Sequence, residues 1–224
     1  MKTAVILASG PSLNEADVAL VKESGLFTVA VSDAWRLAPW ANVLLSQDIF
    51  WWQTYPEVIQ AFAGRKLSPA PVPGVERLVL SERMSTSHNS GLAACEWAAQ
   101  QGGFDRLLLV GFDMKGDHFF GRHPEHLVNT PPARFNVFLR QFEEFIHPAV
   151  EIVNCTKDSA LVRYPYVDLR EALGLPEPVA AAQVEASEEV LPEPPPVSPL
   201  APEFPLVEQT PVASRRSLRR LGSN

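Results

Sequence analysis

The chain is poor in the residues that staple small folds together. Its 224 residues include two cysteines, Cys95 and Cys155, without C-x-x-C or Cys/His ligand spacing. That excludes a disulfide framework or a zinc ribbon and predicts two reduced, buried thiols, as suits a cytoplasmic protein. Long apolar runs are missing too, so no segment reaches the ~18–20 residues of a spanning helix and no membrane insertion is expected. The opening MKTAVILASG starts like a signal peptide, but its apolar run is short and leads straight into a charged helix, which makes it a first strand. Positive charge is scarce: 19 Lys and Arg stand against 26 Asp and Glu, for a net charge of −7. An acidic chain has no broad basic face for tight non-specific nucleic-acid binding. The third glycine of a dinucleotide fingerprint and the Gly-Lys-Ser/Thr of a P-loop are both absent.

Proline is unevenly spread, and this divides the chain. Leu175–Asn224 holds ten of the twenty-one prolines, including Pro192-Glu193-Pro194-Pro195-Pro196, and keeps no helical or strand period. It reads as a disordered, polyproline-like tail. With four Arg and seven Glu it carries −3, leaving −7 − (−3) = −4 on residues 1–174. Its end, Ser214–Arg220, is the one basic cluster, a solvated terminus or a contact for an acidic partner, a membrane surface or nucleic acid.

Residues 1–174 read as one α/β domain: a three-layer Rossmann-like sheet, mostly parallel, with helices on both faces. Thr3–Ala8, too short for a helix and rich in branched residues, is a buried strand. Ser9-Gly10-Pro11-Ser12 turns the chain into a helix over Asn14–Glu23, with Ser12 and Glu15 at capping-box spacing. Leu26–Val31 and Asn42–Ser46 are further strands, ending in Ser32-Asp33 and Gln47-Asp48. Ile49–Phe62 has helical spacing and opens on Trp51 and Trp52, which are core or, for one of them, a wall for a base or sugar ring. Lys66–Leu67 and Val75–Leu80 are strand candidates, followed by a helix Leu92–Gln101, a strand Arg106–Val110, a helix Ala133–Ile146, a strand Val150–Val153 and a short helix Asp168–Leu173.

Candidate site residues cluster at the strand ends, where open parallel sheets collect ligands. Ser9, Gly10, Pro11 and Ser12 form the first turn, which offers free N–H groups and close backbone approach to a phosphate. Asn89, Ser90 and Gly91 open the second such helix, and Ser32, Asp33 and Asp48 close two neighbouring strands. Two such turns in one domain point to a nucleotide or phosphorylated ligand. Asp113 follows Leu107–Val110 at a place for an acid that holds ribose hydroxyls, a metal or a polar loop. The loop Lys115–Pro132 carries His118, Arg122, His123 and His126. Histidine suits proton transfer near neutrality and arginine suits phosphate. His-x4-His-x2-His with Asp113 and Asp117 also permits a divalent metal.

Gly10-Pro11-Ser12 after a first strand, Ser90-Gly91 heading a long helix and Gly111-x-Asp113 after the next strand resemble two related groups. These are the bacterial sialyltransferase-like fold and the 6-hydroxymethylpterin diphosphokinase-like proteins, over roughly Ala4–Met114. PWANVLLSQDIFWW, GFDMKGDHFFGRHP and NCTKDSAL resemble uncharacterised proteins of tailed phages and prophages, sometimes labelled norphogenetic protein. The resemblance implies a phage-encoded, nucleotide-dependent transferase acting from a nucleotide or nucleotide-sugar donor in the host cytoplasm, with a glycosyl or diphosphate group transferred. His123 is then the base, with His118 as its fallback and Asp113 beside them. The other expectation is a non-catalytic accessory protein on the same fold, with 175–224 as the arm for a protein partner.

Overall fold

The computed structural model describes residues 1–85, 87–145 and 147–177, apart from the side chains of Arg83 and Ser85. The expected tail thus lies, from residue 178 on, outside the described residues. Of its start, Leu175 still packs on the domain and Arg170 donates to the Pro176 carbonyl.

Seven strands form one parallel sheet: β1 Thr3–Leu7, β2 Phe27–Val31, β3 Val43–Leu45, β4 Arg65–Ser68, β5 Glu76–Arg77, β6 Arg106–Val110 and β7 Glu151–Asn154. Their order is β5-β4-β3-β2-β1-β6-β7. The central strands are apolar at nearly every position because both faces of a parallel sheet are covered. Alternation then sorts the side chains. Ala4, Ile6, Val29, Val31, Leu107 and Leu109 face one layer, built by α5 (Ser90–Gln100) and α6 (Pro132–Glu143) through Trp97 and Phe142. Val5, Leu7, Ala30, Leu44, Leu108 and Val110 face the other, built by α1 (Glu15–Ser24), α2 (Ile49–Thr54), α3 (Glu57–Ala61) and α7 (Leu169–Ala172). A short α4 covers Glu82–Ser85. Among the described residues no helix is long and apolar enough to cross a membrane. Cys95 and Cys155 are buried and unpaired, and burial pushes the Cys155 thiol up to about 12.

Several local expectations are corrected. The helix drawn over Ile49–Phe62 is two, because Pro56 interrupts the hydrogen-bond ladder after α2. The strand drawn over Val75–Leu80 keeps only Glu76–Arg77, where an edge strand has one neighbour to pair with. Ser12 does not cap α1. Asn14 does, accepting from the Asp17 amide at 2.9 Å while its own Nδ2 donates to the Asp17 carboxylate at 2.8 Å. The cap thus sits two residues later than Ser12, whose hydroxyl is engaged by Asp113.

Strand β1 lies between β2 and β6, so connections diverge on either side of the β1–β6 seam. That switch point leaves a crevice beyond the strand ends.

Candidate functional site

A cleft of about 730 Å³ opens at this switch point. Its floor is Ala8, Ser9 and Gly10 after β1, Ser32 after β2, Gln47 and Asp48 after β3, and Gly111, Phe112 and Asp113 after β6. One wall is the start of α5 with Asn89, Ser90 and Gly91; another is the loop carrying Lys115, His118, His123 and Asn129; a third is Arg134, Phe135 and Phe138 of α6. The second turn, the strand ends and two of the loop histidines therefore share one space.

Not every expected residue lies there. Pro11 and Ser12 do not line the cleft. Asp113 explains why: its Oδ2 accepts from the Ser12 hydroxyl at 2.8 Å and from the Ser12 amide at 3.3 Å, pinning that loop down. Of the roles open to Asp113 it thus holds a polar loop. Gly10 is glycine for the same close packing, since a Cβ there would stand 2.2 Å from Asp113 Oδ2 and 2.4 Å from the Gly111 carbonyl. The α1 terminus, capped by Asn14 and carrying Glu15 and Asp17 in its first turn, repels an anion. Asp33 is also absent from the lining: fully buried, it pairs with Arg36 at 2.6 Å and accepts from Trp51 Nε1 at 2.7 Å. Arg122 pairs with Asp117 at 3.8 Å and His126 lies 3.2 Å from the Thr54 hydroxyl, and neither Arg122 nor His126 lines the cleft. Among the described residues no three His, Cys, Asp or Glu gather closely enough to hold a metal, so the His-x4-His-x2-His pattern does not close. Trp51 lines the cleft but is nearly buried, and Trp52 is core, donating to the Ser46 carbonyl.

The α5 terminus differs from that of α1. Its first turn holds no acidic residue, and Asn89 caps it by accepting from the Leu92 amide at 3.1 Å. Gln47 fastens it to β3: the Gln47 amide donates to Ser90 Oγ at 2.9 Å, and Nε2 reaches Ser87 Oγ at 3.3 Å and the Asn89 carbonyl at 3.4 Å. The α6 terminus, starting at Pro131, also lacks acidic residues and faces the cleft. Between the two lies the Arg134 guanidinium, 3.4 Å from the Ser87 carbonyl. Two dipole ends and one cation make this end of the cleft electropositive.

The histidines occupy the other end. His118 Nδ1 lies 3.3 Å from both the carbonyl and hydroxyl oxygens of Ser9, and its ring stacks on Phe120 at 5.0 Å. A carbonyl only accepts, so donation to it assigns the proton to Nδ1 and the lone pair to Nε2. Burial lowers the His118 pKa from the ordinary value near 6.5, against upward pulls from the Ser9 bond, Asp33 and Asp117. His123 packs edge-on to His118 at 4.6 Å. Its Nε2 is 3.8 Å from Asp33, its Nδ1 is buried without a partner, and Asn129 clamps its backbone at 2.7 and 3.2 Å. Burial lowers its pKa too; His118 and Arg36 add to that while Asp33 and Asp48 oppose it. Burial favours the neutral form of both imidazoles; His118 is held through Nδ1 by Ser9 at the cleft, whereas the Nδ1 of His123 is buried and its Nε2 faces Asp33.

Backbone strain gathers here as well. Four described non-glycine residues have left-handed backbones, and Ser32 (φ 46°), His88 (φ 50°) and Met114 (φ 54°) among them line the cleft. Each such conformation costs about 1–3 kcal/mol and persists where the surroundings enforce it.

Sequence reasoning missed Arg134, Phe135, Phe138, Phe50 and Asn129. The signal for the first three was an arginine and two aromatics at helical spacing near a helix start, a pattern that core-facing helices share. Comparison with known proteins gives no match to any family model, curated protein or solved structure.

Proposed function

We propose that this chain is a nucleotide-dependent transferase, moving a glycosyl or diphosphate group from a nucleotide donor to an acceptor hydroxyl. The observation that carries the reading is the pairing, in one cleft, of an electropositive seat with an anchored neutral imidazole. The donor phosphates sit at the α5 and α6 termini beside Arg134, where helix dipoles and a guanidinium stabilise the charge left on the departing nucleotide. The acceptor hydroxyl faces His118 Nε2. As its oxygen bonds to the transferred group and the bond to the nucleotide breaks, its proton passes to Nε2, while Ser9 keeps Nδ1 protonated and the ring in place. His118 therefore takes the role expected of His123, whose Nδ1 is closed off. The reading agrees with what the resemblance to sialyltransferase-like and pterin diphosphokinase-like folds implies, and the phage origin of the chain is part of the same proposal.

Thermal shift with CMP-, UDP- and GDP-sugars and ATP, with and without a divalent cation, tests it. A true donor at a hundredfold excess over its Kd adds ~2.7 kcal/mol, a rise of roughly 5–10 °C for a domain of this size. No rise with any nucleotide overturns the reading.

A further inference from the structure

Helix α6 carries more than a positive charge. Arg134, Phe135 and Phe138 all line the cleft, with the two rings edge-to-face at 6.3 Å and the guanidinium 5.3 Å over the Phe138 ring. From α2, Phe50 lines the same cleft with 65% of its surface exposed, on a helix whose neighbouring Trp51 and Trp52 are both buried. Phe50, Phe135 and Phe138 thus give one cleft an accessible aromatic lining, and aromatic faces stack well on planar groups. Arg134 and Phe138 sit one turn apart on α6, and the guanidinium lies against the Phe138 ring. A ligand that puts an anion at Arg134 therefore has aromatic surface within the same cleft, from Phe135 and Phe138 of α6 and from Phe50 of α2.

Resting on the transferase reading above, we infer that Phe50 and Phe135 form the base clamp of the cleft, holding the nucleobase of the donor while Arg134 holds its phosphates. Aromatic faces stack on any base, so the clamp distinguishes a nucleotide from a bare phosphate more strongly than one base from another. Phe50 and Phe135 set this preference and take no part in proton transfer.

The probes are ADP, UDP and inorganic pyrophosphate, followed by calorimetry. Wild type should bind the two nucleotides more tightly than pyrophosphate. Phe50→Leu and Phe135→Leu, which keep apolar bulk and remove the π face, should weaken nucleotide binding by about 5- to 150-fold and leave pyrophosphate unchanged. Phe135→Tyr should restore wild-type affinity, and Arg134→Ala should weaken all three probes. Equal wild-type affinity for nucleotides and pyrophosphate, or undiminished nucleotide binding by both leucine variants, overturns the clamp alone. Failure of all three probes, and of CMP and GDP beside them, to bind overturns the transferase reading beneath it.

Discussion

His118 is held by Ser9, a residue 109 positions earlier in the chain, with Nδ1 at 3.3 Å from the Ser9 carbonyl. The same carbonyl accepts from the Phe119 amide at 3.2 Å, and His118 and Gly121 exchange backbone bonds at 2.9 Å. The imidazole is thus fixed from its own loop and from the end of β1. If it is the base, His118→Ala should lower turnover by ~10²–10⁴-fold with donor affinity nearly unchanged, because proton transfer belongs to the chemical step. His123→Ala should cost less. The reverse ranking in single-turnover kinetics would return the role to His123.

Acid should destabilise the fold through these two rings. Both have pKa values lowered by burial from about 6.5, so below that value the unfolded chain binds more protons than the folded one. Stability therefore rises with pH from the lowered folded values up to about 6.5 and is fully present above it. Melting temperature should fall on acidification through this window, and the His118→Gln/His123→Gln double variant should flatten that slope. An unaltered slope would show that neither ring titrates differently on folding.

The sheet was legible because β1, β2, β3 and β6 are apolar runs bounded by small or polar residues, a pattern that few alternatives share. The strand ends that floor the cleft followed from it. What the sequence hid was which polar groups satisfy each other. Ser12 and Asp113, 101 residues apart, bond to one another, and Asp33 turns to Arg36 and Trp51 instead of the cleft. Pairing of that kind depends on which loops meet, and local spacing carries no record of it. The aromatic wall of α6 was hidden for another reason: half-buried Phe135 and Phe138 obey the same helical period as the buried Phe142.

Asp33 supports the histidines from behind, 3.8 Å from His123 Nε2 and fully buried. Its charge raises the His123 pKa, so Asp33→Asn should push that pKa further below the ordinary range. The new carboxamide oxygen can still accept from Trp51 Nε1, which separates loss of charge from loss of packing. A histidine NMR titration gives the answer, and an unchanged His123 curve would mean that the pair is not felt across 3.8 Å.

Gly10 and Gly25 offer opposite tests of what a glycine is for. A methyl group at Gly10 would meet Asp113 Oδ2 at 2.2 Å and the Gly111 carbonyl at 2.4 Å, both parts of the β1–β6 seam. The carbonyl cannot retreat, because it accepts from the Gly10 amide at 3.0 Å and belongs to a left-handed glycine whose own Cβ position is filled by the Ala8 carbonyl. Gly10→Ala should therefore cost about 1–3 kcal/mol as an overpacked site, lowering the melting temperature by several degrees, and Gly10→Val more. At Gly25, φ is 66° and nothing lies within 4 Å, so only backbone conformation is at stake. Gly25→Asn should be nearly neutral because asparagine tolerates the left-handed region. Thermal denaturation of the variants decides. If Gly10→Ala melts with the wild type while losing nucleotide binding, the glycine serves ligand approach and not the packing of the seam.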